Sequence, residues 1–156
     1  MNILITGGNG FIGKTIIPCL LQEKHKLKVI DSKKFTTKYP NEVELFNYDF
    51  RDTNKISELL NNIDVVIHMA AYLGVDACEN HTLHTLKANG LEACKFFELC
   101  KEKGVKHIIY TSSSEVYGDV NLATEESPVS PKSDYGIAKL YSEKYLTSIS
   151  TGSFSS

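Results

Sequence analysis

Three glycines spaced three apart, Gly7, Gly10 and Gly13, stand directly behind a short apolar run, Ile3-Leu4-Ile5. This segment, Thr6 to Gly13, restricts the local fold more than any other. The chain must leave a strand, turn sharply and enter a helix. Gly7 permits the tight turn, Gly10 lets backbone approach phosphate oxygens, and Gly13 lets the new helix pack closely on the sheet. The helix N-terminus then offers free N–H groups and a partial positive charge to an anion, which suits a dinucleotide pyrophosphate. Gly7, Asn9, Gly10, Phe11, Ile12 and Gly13 are therefore the candidate cofactor contacts. A purely structural glycine turn is the alternative.

A second segment, Leu27-Lys28-Val29-Ile30-Asp31, reads as a strand ending in an acid, eighteen residues beyond Gly13. A carboxylate there can accept both ribose hydroxyls of an adenosine, which favours NAD over NADP. Lys33 and Lys34 follow. They could meet a 2′-phosphate or simply be solvated, and Asp31 would repel such a phosphate.

Strand-like and helix-like segments alternate along the rest of the chain. Strands are predicted over 2–6, 27–31, 43–48, 64–69 and 106–111, and helices over about 11–24, 53–62, 81–103 and 133–148. Asp64-Val65-Val66-Ile67-His68-Met69 is an unbroken apolar run, as in a sheet covered on both faces. In the long helix, Leu83, Leu86, Ala93, Phe96, Phe97 and Cys100 mark the inner side, and Gly104 ends it. Alternation of this kind implies α/β architecture: a three-layer Rossmann fold with a doubly wound parallel sheet in the order 3-2-1-4-5. Residues 1–148 form the dinucleotide-binding domain, and 149–156 read as a frayed Ser/Thr-rich tail.

Size and charge narrow the function classes. The 156 residues suit one domain, and a net charge of -2 gives no footprint for nucleic acid or an anionic membrane. No apolar run reaches the roughly 18 residues of a membrane span, and no charged leader precedes the first strand. Cys19, Cys78, Cys94 and Cys100 lack metal-ligand spacing and read as reduced thiols of a cytoplasmic protein.

Ligands of open parallel sheets sit at the carboxyl ends of the strands. Strand five ends in Thr111-Ser112-Ser113-Ser114-Glu115, and the last helix opens with Tyr135-Gly136-Ile137-Ala138-Lys139. Tyr135 and Lys139 are four apart, so they share a helical face one turn apart. An ammonium beside the phenol favours the phenolate, and such a tyrosine can take a proton from a sugar hydroxyl while hydride leaves to NAD. Lys139 can also hold the nicotinamide ribose. Taken alone, this pair could be a surface tyrosine beside a solvated lysine.

Together these segments resemble the N-terminal part of the extended short-chain dehydrogenase/reductases, in the NAD-dependent epimerase/dehydratase family of nucleotide-sugar enzymes. The resemblance covers residues 1 to about 148. It rests on Thr6–Gly13, Asp31, Asp49-Phe50, His68-Met69-Ala70-Ala71, Asn89, Ser112–Gly118 and Tyr135–Lys139. It implies that Asp49 and Phe50 meet the adenine, that Ala70 and Ala71 line the cofactor, and that Asn89 holds the active-site helix. Tyr135 and Lys139 would also touch the cofactor. Counting back from Val116-Tyr117-Gly118, Ser113 takes the catalytic serine position. Ser114-Glu115 resembles the pair of the decarboxylase and 4,6-dehydratase branches, where the acid helps after C4 oxidation, but it also occurs in epimerases. Glu115 is thus a candidate catalytic acid or a solvated loop residue. Glu92 and Ala93 depart from the family's glycine and threonine near that asparagine.

The implied activity is NAD-dependent epimerase or dehydratase chemistry on a UDP-, dTDP- or GDP-sugar by transient C4 oxidation. Relatives run about twice as long, their second half grips the substrate, and they usually dimerise through the long helix and the Tyr/Lys helix. The resemblance therefore leaves three expectations: a truncated form, half of a split enzyme, or a non-catalytic NAD-binding module. It also leaves strand five with an open edge unless something covers it.

Overall fold

The computed structural model describes residues 1–73, 78 and 80–156. They form two compact units. The first comprises 1–70, 96–111 and 150–156, and the second 71–95 and 112–149.

The first unit contains β1 (Asn2–Thr6), α1 (Phe11–Gln22), β2 (Lys26–Ile30), β3 (Val43–Phe46), α2 (Thr53–Leu59), β4 (Val65–His68) and β5 (His107–Tyr110). Among the described residues the five strands form one parallel sheet in the order β3-β2-β1-β4-β5. Successive side chains alternate between its faces. Ile3, Ile5, Leu27, Val29, Val65 and Ile67 pack with Ile17 of α1 in one buried cluster. Leu4, Val66 and Ile108, out of phase with that set, are also fully buried, so both faces are covered. Phe50, Phe96, Phe97 and Tyr110 surround the buried ring of His68.

β3 and α2 are shorter than their apolar patterns suggest, because strand pairing stops at Phe46 and α2 stops at Leu59. Asn62 then takes a left-handed φ of 60°, a conformation that asparagine tolerates. The expectation of a frayed tail is corrected. The Ile108 N–H donates to the Ser155 carbonyl and the Ser155 N–H to the Lys106 carbonyl, both at 2.9 Å. Phe154 is buried. Residues 150–156 therefore cover part of the β5 edge, because backbone donors and acceptors at a sheet edge take up any strand within reach.

The second unit contains α3 (Thr82–Thr85), a π-helical turn (Leu86–Leu91), the start of α4 (Glu92–Glu102), a 3₁₀ turn (Ser114–Tyr117) and α5 (Asp134–Ile149). The long helix expected over 81–103 is thus interrupted by a wider turn. Asn89 and Gly90, two weak helix formers, lie within that turn. A π turn leaves carbonyls out of the regular ladder. Here the buried Ser142 hydroxyl of α5 donates to the Asn89 carbonyl at 2.7 Å. A Cβ on Gly90 would lie 3.4 Å from the Tyr141 ring, so the two segments pack closely. The interruption also shifts the helical phase. Leu83, expected on the inner side, is 83% exposed, whereas Thr85, Ala88 and Asn89 are buried. No helix among the described residues is long and apolar enough to cross a membrane.

Candidate functional site

In the first unit the glycine turn behaves as its spacing predicts. Gly7 has a left-handed φ of 72°, and a Cβ there would lie 2.7 Å from the Ala70 nitrogen. A Cβ on Gly13 would lie 2.3 Å from the Gly8 carbonyl oxygen. Both positions are closed to any side chain, so the turn is drawn tight over the ends of β1 and β4. Gly10 caps α1 from an extended conformation. Among the described residues no side chain caps this helix, and no acid lies in its first turn. Its first N–H groups are therefore left for an anion. Phe11 is 92% exposed and Ile12 54%.

Asp31 sits just past β2, half-buried. Its Oδ2 accepts the Asn9 N–H at 3.0 Å, and its Oδ1 accepts the Lys33 N–H at 2.8 Å. A carboxylate has about four lone-pair sites, so two remain for a diol. The Asn9 amide donates to the Lys34 carbonyl at 3.1 Å, while its Oδ1 is buried without a hydrogen-bond partner among the described residues. Such an orphaned acceptor fits a turn that receives a ligand group.

Thr6 was not singled out by chemistry in the sequence, yet it ties this end of the sheet together. Its Oγ1 contacts His68 Nδ1 at 2.7 Å and accepts the Ala70 N–H at 3.1 Å. Ala70 is held in place by that bond, and Ala71, the first residue of the second unit, is half-buried. Asp49 and Phe50 are committed elsewhere by their side chains. Two Asp49 oxygens accept from the Arg51 guanidinium at 2.6 and 2.9 Å, and this hydrogen bonding holds its carboxyl below the usual range. The Phe50 ring is edge-on to His68 at 4.9 Å.

In the second unit the acid–base candidates gather at the start of α5. The Lys139 Nζ lies 5.7 Å from the centre of the Tyr135 ring. Lys139 is 2% exposed, and burial lowers its pKa to about 8. The Tyr135 pKa is raised, first by burial and then by Cys78 and Glu115. This corrects the expectation of a lysine-lowered phenol. Burial disfavours the charged form of both groups, and the ammonium lies over the ring.

Ser113 caps the 3₁₀ turn, its Oγ accepting the Glu115 N–H at 3.2 Å. Its own proton is left to donate. Ser112 Oγ, one residue earlier, is buried without a hydrogen-bond partner among the described residues. The Glu115 carboxylate accepts the Ser133 hydroxyl at 2.9 Å. A Cβ on Gly136 would lie 2.7 Å from the Glu115 carbonyl oxygen, so only glycine lets α5 approach the serine turn this closely.

Asn89 does more than hold a helix. Its side chain accepts the Tyr72 N–H at 2.7 Å and donates to the Tyr72 carbonyl at 2.9 Å, while its backbone carbonyl takes Ser142 of α5. The loop after β4 and the tyrosine helix are thus anchored on one residue.

Residues 3–153 match the NAD dependent epimerase/dehydratase family. An uncharacterized UDP-glucose epimerase of Bacillus subtilis (strain 168) is 32% identical over 92% of the chain and 50% of its own length. A UDP-N-acetylglucosamine 4,6-dehydratase (inverting) of Campylobacter jejuni is 32% identical over 92% of the chain and 42% of its own length. Among solved structures, MoeE5 in complex with UDP-glucose and NAD has a TM-score of 0.87 at 28% identity, covering 99% of this chain and 51% of that one. The chain therefore spans about half the length of the curated relatives it matches.

Proposed function

The chain belongs to the NAD-dependent epimerase/dehydratase family, and from that premise we propose that it binds NAD and serves the transient C4 oxidation of a nucleotide-sugar. The first N–H groups of α1, with Gly7, Asn9, Gly10, Phe11, Ile12 and Gly13, would hold the pyrophosphate. Asp31 would take the adenosine ribose through its two remaining lone-pair sites. Asp49 and Phe50 would face the adenine, Ala70 and Ala71 would line the cofactor, and Tyr135 and Lys139 would hold the nicotinamide ribose.

NAD, when bound, supplies a reversible hydride acceptor. The chain's own residues manage the proton. Ser113 donates a hydrogen bond to the reacting sugar oxygen, and the Tyr135 oxygen takes the hydroxyl proton and returns it. Burial resists the phenolate this requires, and the ammonium of Lys139, 5.7 Å from the ring centre, would offset that only once the phenolate forms. The single observation that carries the reading is this pairing of a buried lysine with Tyr135 on a helix whose Gly136 abuts the serine turn.

The test is calorimetric NAD binding together with turnover of UDP-, dTDP- and GDP-sugars by the chain and by Tyr135→Phe. Tyr135→Phe is expected to keep NAD binding through the glycine turn, Asp31 and Lys139, weakened by no more than one ribose hydrogen bond, and to lose turnover by about a hundredfold or more. Equal turnover by both proteins overturns the mechanism. A second reading is an NAD-binding module without turnover of its own, for which the backbone of the glycine turn and Asp31 would suffice. NAD binding with no turnover of any sugar nucleotide would select it.

A further inference from the structure

Four hydrogen bonds around the start of α5 form a chain that runs from one candidate acid–base group to the neighbourhood of the other. The Glu115 N–H donates to Ser113 Oγ at 3.2 Å. The Glu115 carboxylate accepts the Ser133 hydroxyl at 2.9 Å. Ser133 Oγ in turn accepts the Gly136 N–H at 3.0 Å, and the Ser133 carbonyl accepts the Ile137 N–H at 2.9 Å. Tyr135 lies between Ser133 and Gly136. The Glu115 backbone is pressed against Gly136 so closely that a Cβ would not fit. One side chain thus caps the tyrosine helix and grips the turn that carries the serine.

We propose that Ser133 and Glu115 are a positioning pair that fixes Ser113 relative to Tyr135, and that Glu115 acts here through Ser133 rather than as a proton-transfer acid. A serine at a helix N-cap needs no acid partner, since its oxygen alone satisfies the N–H three residues on. What the cap does not explain is the second bond. The Ser133 proton could go to water, yet it goes to the residue two places after Ser113. A charged acceptor strengthens that bond, and a hydroxyl that both donates and accepts couples the two segments. Gly136 fits the same account, because it lets the coupled segments meet at backbone distance. This assigns Glu115 a role that an epimerase needs as much as a dehydratase does.

The proposal rests on the acid–base set proposed above, but its test requires neither NAD nor sugar, so the two can fail separately. Backbone amide exchange and the titration of the Tyr135 ring carbon bonded to oxygen are followed by NMR in the free chain. In Ser133→Ala the Gly136 and Glu115 amides should both exchange about tenfold faster, and the Tyr135 titration should move down toward an ordinary phenol. Ser133→Thr, which keeps the hydroxyl, should restore all three signals. At position 115, Gln keeps an acceptor oxygen without the charge and should lose only part of the protection of the Gly136 amide, whereas Ala should lose all of it. A plain helix cap predicts faster exchange at Gly136 alone, with the Glu115 amide and the Tyr135 titration unmoved. That result, or equal damage from Glu115→Gln and Glu115→Ala, overturns the proposal.

Discussion

At the glycine turn, what the protein offers a ligand is backbone: unpaired N–H groups at the start of α1, a tight left-handed Gly7, and a carboxylate pinned by two backbone donors. At the tyrosine helix it offers side chains whose protonation is set by burial. The first geometry is enforced by sterics and depends little on pH. The second depends on charge states that water exclusion has already shifted. The proposed cofactor holding and proton handling would therefore have different points of failure, and substitutions can separate them.

The largest effect is expected from Gly13→Ala. Its Cβ would meet the Gly8 carbonyl at 2.3 Å, backbone against backbone, with no flexible atom to yield. A loss on the order of 3 kcal/mol in urea denaturation is expected, together with loss of NAD binding. Gly136→Ala is the matched change in the second unit, where the clash is with the Glu115 carbonyl at 2.7 Å. It should destabilise less, about 1–2 kcal/mol, and leave NAD pyrophosphate binding in place. If both changes abolish binding equally, the turn is not the dominant anchor of the cofactor.

Lys139→Met should act in the opposite direction. The folded pKa of about 8 lies below the unfolded value of 10.5. Between those values the unfolded chain binds more protons, so the lysine's contribution to stability rises with pH across that window and is most unfavourable below about pH 8. Methionine matches the alkyl stem without the charge. At pH 7 the variant should gain up to about 3 kcal/mol, and the gain should shrink as pH rises from 8 to 10.5. Thermal melts of both proteins at several pH values measure it. A gain that does not vary with pH would mean that the ammonium is not the source of the penalty, and the contrast with the pH-indifferent glycine turn would weaken.

The same contrast explains what could be read from the chain before folding. Gly7, Gly10, Gly13 and Asp31 announce themselves because sterics and strand position dictate residue type; alternation gives the parallel sheet, and the glycine turn points to its Rossmann order. The pairing of Tyr135 with Lys139 was also legible from its spacing. The direction of the tyrosine shift was not, because it depends on burial by residues distant in sequence. The π turn at Leu86–Leu91 was hidden for a related reason. A single extra residue in a turn leaves the apolar pattern almost intact, yet it turned Leu83 outward and freed the Asn89 carbonyl for Ser142. The Ser133–Glu115 bond joins residues eighteen apart, and no local pattern marks it. Residues 150–156 looked frayed from composition, whereas the edge of β5 decides their place.

The smallest expected effect is the most diagnostic of the cofactor half. In Asp31→Asn the amide keeps one acceptor oxygen, but two backbone N–H groups, of Asn9 and Lys33, now point at opposite ends of it. One of them must face an NH₂, so stability should fall by about 1 kcal/mol, and the turn that carries Asn9 should loosen. The side chain also loses its charge and the lone pairs left for a ribose diol, so NAD affinity should drop roughly tenfold. NADP should lose less, because the repulsion of its 2′-phosphate by Asp31 disappears while Lys33 and Lys34 remain nearby. Titration calorimetry with both dinucleotides reads the ratio directly. A narrowing of the NAD preference would tie Asp31 to the ribose. An equal loss for both cofactors would mean that Asp31 acts only by holding Asn9, and the chemical distinction between the two halves would then reduce to one of backbone support.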